Sequence, residues 1–301
     1  MNDPRNASYI TYKQSVLIML CIMKNVGGIE TMREMNDTFN TAEAISNLAE
    51  LSEENGLDEM PDWQTVNNYL ESLSPKELHQ IRKKMIRRLL RSKQFDRYKL
   101  LGNWVIVIDG TGIAYFKERH CEHDLVQMII DPETGEKTTR YYHKVLEAKL
   151  ILAPSVVVSI DTEFIENEKE DVAKQDCELK AAERLLCRIK KDYPKLPLCV
   201  LGDGLYATMP FMGLCNKNHW HYVLNLKAGR QGALCEDFNG LVRAGKGIIQ
   251  SRDPFKEGGP ATYVNRLDLS SGKPQICNVF EYCHPVEEKR SDKRSAVRMG
   301  H

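Results

Sequence analysis

Residues 104–116 read WVIVIDGTGIAYF, and the place of Asp109 in them decides how the chain is folded. Trp104, Val105, Ile106, Val107 and Ile108 form an apolar, β-branched run that predicts a buried strand. Asp109 follows without a break, and Gly110, Thr111 and Gly112 come next. A carboxylate at the end of a buried strand is costly unless something pairs with it. Asp-Gly is a common turn dipeptide, so a turn is one explanation. A metal ligand or a catalytic acid is the other. Taken alone, the stretch favours the turn.

A second stretch has the same shape. In LCVLGDGLYA, Asp203 directly follows the apolar run 198–202 and is again followed by glycine. If both runs are strands of one sheet with their carboxyl ends together, Asp109 and Asp203 can meet. Two carboxylates held close repel unless a cation bridges them. A hard ion such as Mg²⁺, with Mn²⁺ as a substitute, takes such oxygen ligands and leaves positions for water and phosphate oxygens. Two such ions would stabilise the attacking and leaving oxygens of a phosphodiester displacement. Each aspartate alone still reads as a turn or a strand-end cap.

The composition is that of a globular protein: 301 residues, 42% hydrophobic and 28% charged. Formal net charge is zero, so overall charge gives no support for a nucleic-acid partner, and only local clusters can supply it. The nine cysteines are scattered, with no C-x-x-C pair, and no secretory signal precedes them. That pattern predicts reduced thiols and a cytoplasmic location. The cluster Arg119-His120-Cys121-Glu122-His123 lacks a second half at zinc-site spacing, so no zinc is expected. The apolar run 16–23 is too short to span a bilayer.

Helices are expected over 12–55 and in TVNNYLESL, then again from Ser74-Pro75-Lys76-Glu77, which has the form of a capping box. The helix expected over 75–99 is densely basic, with Lys83, Lys84, Arg87, Arg88 and Arg91 among its charges. A solvated face balancing the acidic stretch 43–62 explains that as well as phosphate contact does. Strands are expected at 104–109, 143–152, 155–164, 198–202 and 220–227, with helices at about 170–193 and 209–218. ATYVNRLDL and QICNVFEYC flank Ser270-Ser271-Gly272-Lys273-Pro274 and predict a hairpin. The class is mixed α/β.

Three strands with Asp on the first, a helix, and a fourth strand ending in Asp resemble the ribonuclease-H-like layout. Within it, VIDGTGIAYF, LGDGLYA and KQDCELKAAERLL (174–186) resemble segments of bacterial insertion-sequence transposases of the DDE type, in the group with a β-rich insertion. The resemblance covers about 60–286. It implies a helical DNA-binding domain over 1–100, a ribonuclease-H-like core over 101–230, a β-rich insertion over 231–286 and a disordered tail over 287–301. It further implies that Asp109 and Asp203 are catalytic metal ligands for Mg²⁺ or Mn²⁺. Duplex DNA at transposon ends and target would be the partner, bound by a homodimer, with no membrane involved. Lys83, Lys84, Arg87, Arg88, Arg91, Lys227 and Arg230 would contact phosphates, which position DNA without reading its sequence.

The family also carries a third carboxylate, a Glu on a helix with a preceding Tyr and Arg. Tyr263 and Arg266 have that spacing here, but Ser270 stands at the Glu position, and Glu281, Glu287, Glu288 and Asp292 are not assigned to it. The expectation is a truncated transposase, inactive as this chain. Two other readings remain: a DNA-binding remnant that occupies transposon ends without cleaving them, and a metal-dependent phosphatase using the same two aspartates. The absence of any P-loop pattern gives the phosphatase little support.

Overall fold

The computed structural model describes residues 3–170, 172–227, 229, 231–250, 261–268, 276–283 and 293–298. The chain divides into two compact units, Met1–Met85 and Ile86–His301. The division falls between Met85 and Ile86.

The first unit is helical: α1 (Gln14–Val26), α2 (Met32–Phe39), α3 (Ala42–Ser52), α4 (Trp63–Ser72) and the start of α5 (Pro75–Arg91). Thr31, Thr41 and Asp62 cap α2, α3 and α4, each side-chain oxygen accepting from a backbone N–H of the first turn. Val16, Leu17 and Leu20 of α1 pack with Met35, Leu48, Val66 and Tyr69 into one buried cluster. Leu51 of α3 is exposed.

The basic helix ends at Arg91 rather than near residue 99. A short 3-10 turn, Asp96–Tyr98, follows it.

The second unit is built on one mixed sheet. Its strands are β1 (Trp104–Phe116), β2 (Leu125–Ile130), β3 (Lys137–Ala153), β4 (Val156–Ile165), β5 (Leu198–Gly202) and β6 (His221–Asn225). Between β4 and β5 runs α6 (Glu178–Asp192), and between β5 and β6 runs α7 (Met209–Lys217). The central order is β4-β3-β1-β5-β6, with β3 antiparallel to β1 and β4, and β1, β5 and β6 parallel. This is the ribonuclease-H-like arrangement, and it makes the fold class mixed α/β.

Alternation builds the core. Trp104, Ile106 and Ile108 of β1 are buried, and so are Leu146, Ala148 and Leu150 of β3. Ala181, Ala182, Leu185, Leu186 and Ile189 give α6 the buried stripe that joins this cluster. Burying each large apolar side chain contributes roughly 1.5–3 kcal/mol.

β1 does not end at Asp109, as a turn there would require, but runs on to Phe116. β3 serves two partners along one edge, β2 over its first part and β4 over the rest. The β1–β3 register shifts at a bulge between Gly112 and Ala114.

After β6 come α8 (Gly232–Arg243), β7 (Ile248–Gln250), β8 (Ala261–Asp268), β9 (Ile276–Cys283) and β10 (Lys293–Arg298). The expected hairpin is the antiparallel β8–β9 pair, and its expected turn lies outside the described residues. The insertion opens with a helix, where strands were expected. Within the stretch expected to be a disordered tail, β10 pairs with β6 and β9.

Candidate active site

The pleat of β1 places Asp109 on the exposed side, in phase with Val105 and Val107 and opposite to Ile106 and Ile108. Its carboxylate therefore never enters the core, which removes the desolvation cost that a buried strand end suggests. The side chain accepts one hydrogen bond, from the backbone N–H of Gly110 at 2.9 Å. Directly opposite on β3 is Glu147, whose Oε2 accepts from Thr162 Oγ1 of β4 at 2.7 Å. Opposed residues of an antiparallel pair share a face, so Glu147 lies beside Asp109.

β5 brings in the second aspartate. Its parallel register with β1 runs from Trp104↔Leu198 to Val107↔Leu201. Extended by two residues, that register would bring Asp109 level with Asp203, the first residue past the end of β5, and neighbouring strands lie ~4.8 Å apart. Asp203 itself does open a turn, with Oδ1 accepting from the Leu205 N–H at 2.8 Å. Lys227, just after β6, donates from Nζ to Asp203 Oδ2 at 2.7 Å.

The glycine after each aspartate makes room for a neighbour. A Cβ on Gly204 would lie 2.7 Å from Lys227 Cγ, so the lysine can cross to Asp203 only over a bare backbone. A Cβ on Gly110 would lie 2.6 Å from the Glu178 carboxyl carbon and 2.8 Å from Lys144 Cε.

Glu178 opens α6 and pairs with Lys144, and it accepts from the Tyr206 hydroxyl at 2.8 Å. Burial pushes the Tyr206 hydroxyl far above its usual range. Its bond to Glu178 and the nearby charges of Glu178, Asp109 and Asp203 push the same way, so it remains a donor. Two carboxylates thus flank Asp109 from opposite sides of β1: Glu147 on its own face, Glu178 across the strand. Neither was singled out by the sequence reading, because both depend on strand pairing and helix placement.

The donor set around Asp109 and Asp203 is oxygen-only and half-buried to exposed, which suits a hard divalent cation better than a soft one. Without a cation, Lys227 and Lys144 offset part of the negative charge.

The basic residues fare differently from one another. Lys84, Arg88 and Arg91 of α5 are exposed, and Lys83 is half-buried. Arg87 does not face solvent as expected. Its guanidinium donates to the Asp192 carbonyl at the end of α6 (2.7 Å) and lies over the Tyr193 ring, satisfying a carbonyl that the helix end leaves open. Lys227 is exposed and pairs its ammonium with Asp203, and Arg230 lies outside the described residues. Tyr263 and Arg266 sit on β8 rather than a helix, and Ser270 lies outside the described residues. No helix among the described residues is long and apolar enough to cross a membrane.

No protein-family model matches the chain, and no curated protein does. Among solved structures, the chain is similar to piggyBac transposase in its synaptic complex with hairpin DNA. The TM-score is 0.42 and the identity 12%, over 98% of this chain and 54% of that one. The chain spans about half the length of the structure it matches. A likeness this distant bears on neither chemistry nor partners.

Proposed function

We propose that the chain is a DDE-type transposase in its chemistry, with Asp109 and Asp203 holding Mg²⁺ or Mn²⁺ for phosphodiester cleavage and strand transfer at transposon ends. The observation that supports this reading is the parallel register of β1 and β5, which extended by two residues brings Asp109, midway along β1, level with Asp203 just past the end of β5, with Glu147 opposite Asp109 on β3. Like charges so arranged raise the energy of the empty site, and a divalent ion relieves it.

When bound, the metal supplies Lewis-acid stabilisation of the phosphoryl oxygens and lowers the pKa of an attacking water or hydroxyl. The chain's own residues set the geometry: β1 and β5 fix the separation of the carboxylates, and the turn at Asp203 fixes the orientation of one of them. Lys227, paired with Asp203, would become available to a phosphate if a metal ion neutralised that aspartate instead. The exposed Lys84, Arg88 and Arg91 of α5 would hold duplex backbone in a homodimeric complex.

The deciding experiment is a nicking assay with Mg²⁺ and then Mn²⁺ on duplexes carrying the ends that flank the gene, with gel shift on the same samples. Wild type and Asp109→Asn run side by side. Cleavage by wild type that Asp109→Asn lacks supports the proposal. Specific binding without cleavage supports the DNA-binding remnant instead. Hydrolysis of a small phosphate ester with no salt-dependent DNA affinity points to the phosphatase.

A further inference from the structure

Beyond β1 the chain loops back through Arg119-His120-Cys121-Glu122-His123-Asp124 before β2 begins. The half-site that the sequence lacks arrives from β3, where His143 pairs with Ala114 just past the bulge. Cys121 Sγ lies 3.6 Å from Asp124 Oδ1 and 3.6 Å from His143 Nε2, and His143 Nε2 lies 3.1 Å from Asp124 Oδ1. A tetrahedral zinc with Zn–S of about 2.3 Å and Zn–N or Zn–O of about 2.0 Å sets its ligand atoms ~3.6 Å apart for S···N and S···O, and ~3.3 Å for N···O. The three observed separations match that triangle closely.

The surroundings are those of a built site. Asp124 is fully buried. Its Oδ2 is held by the backbone N–H groups of His120 (2.6 Å) and Cys121 (3.1 Å), which leaves Oδ1 aimed at the sulfur and the imidazole. Such outer hydrogen bonds orient a metal ligand. Asn167, also buried, donates from its side chain to the Asp124 carbonyl at 2.8 Å, while its backbone N–H donates to the His123 carbonyl at 3.1 Å. Phe116 meets the His143 ring edge-on at 5.8 Å between centroids. One sulfur, one nitrogen and one oxygen suit zinc, whereas Mg²⁺ and Ca²⁺ take oxygen ligands.

We infer that Cys121, Asp124 and His143 bind one Zn²⁺ ion, which fastens the loop after β1 to strand β3 and leaves its fourth position to solvent. This site is separate from the Asp109–Asp203 face and does not depend on the function proposed for it.

The test uses the full chain, purified, stripped with a chelator and dialysed. Zinc content is read by elemental analysis after reloading, and Co²⁺ titration is followed by absorbance. The expected result is one equivalent per chain, with a thiolate-to-cobalt charge-transfer band and the intense visible bands of tetrahedral Co²⁺. Loss of an outer hydrogen bond alone costs about 10–100-fold in affinity, so Cys121→Ser and His143→Ala should each weaken binding by more than about 100-fold. Cys187→Ser, an exposed cysteine of α6, should retain the full equivalent. The melting temperature of stripped wild type should rise on adding Zn²⁺, a readout that needs no variant to fold. Three results overturn the inference: no equivalent retained, a cobalt spectrum without the thiolate band, or binding unchanged in Cys121→Ser. The trio would then be a hydrogen-bonded clasp only.

Discussion

Gly110 leaves the space that Glu178 fills: a methyl group added at Gly110 would stand 2.6 Å from the Glu178 carboxyl carbon. Gly110→Ala must therefore displace Glu178 from Tyr206 and Lys144, with a loss of about 1–3 kcal/mol on overpacking grounds. Gly213→Ala, inside α7 with open space around it, should instead stabilise by up to about 1 kcal/mol. Urea denaturation of the two variants should give changes of opposite sign.

Asp109→Asn should not cost stability in metal-free buffer. It removes a negative charge set opposite Glu147, and like charges so placed cost about 0.2–1 kcal/mol. Wild type should gain melting temperature with Mn²⁺, and the variant should not. An equal Mn²⁺ shift in both would remove Asp109 from the metal site.

Arg188 donates to Asp161, buried beneath it on β4, at 2.5 Å, and it also pairs with Glu163. Arg188→Leu leaves the Asp161 carboxylate buried without its cation, and breaking such pairs typically costs about 3–5 kcal/mol. The double variant Arg188→Leu with Asp161→Leu should recover much of that loss, and equilibrium unfolding of both measures the difference.

Acid should unfold the protein partly through Asp176. Burial raises its carboxyl, but the Arg184 guanidinium and backbone amides outweigh burial and hold it below the usual range. In the native state it binds a proton less readily than in the unfolded chain, whose aspartates titrate near about 3.9. Its contribution is present above that pH and is lost as pH falls through the lower, folded value. Asp176→Asn should therefore flatten the fall in stability between about pH 5 and 2, and a pH series of denaturation midpoints checks it.

Phosphate contacts, if α5 makes them, belong to its exposed residues. Arg88→Ala and Arg91→Ala should each lower the salt slope of duplex binding by about 0.9, without changing sequence preference. Arg87→Ala should lower stability and leave the slope alone, since Arg87 is spent on the Asp192 carbonyl.

The early part of β1, all of β5 and the presence of α6, though not its start at Glu178, were legible in the sequence, because apolar runs report burial directly. The extension of β1 was not, since Gly110, Thr111 and Gly112 carry turn chemistry that sheet pairing overrides. Gly232 and Gly240 hid α8 by lowering its helix propensity. The level placement of Asp109 and Asp203 depends on register, which no single segment contains. Cys121 and His143 are 22 positions apart and become neighbours only through the β1–β3 pairing.

The bulge between Gly112 and Ala114 has an evolutionary consequence. The separation of the two aspartates is set by pairs 104–107 with 198–201, all of which precede the bulge. An extra residue absorbed there shifts everything beyond it without disturbing what comes before. The outer β-arm and its cysteine–histidine corner can thus lengthen, shorten or acquire new cargo among descendants, while the carboxylates stay in step.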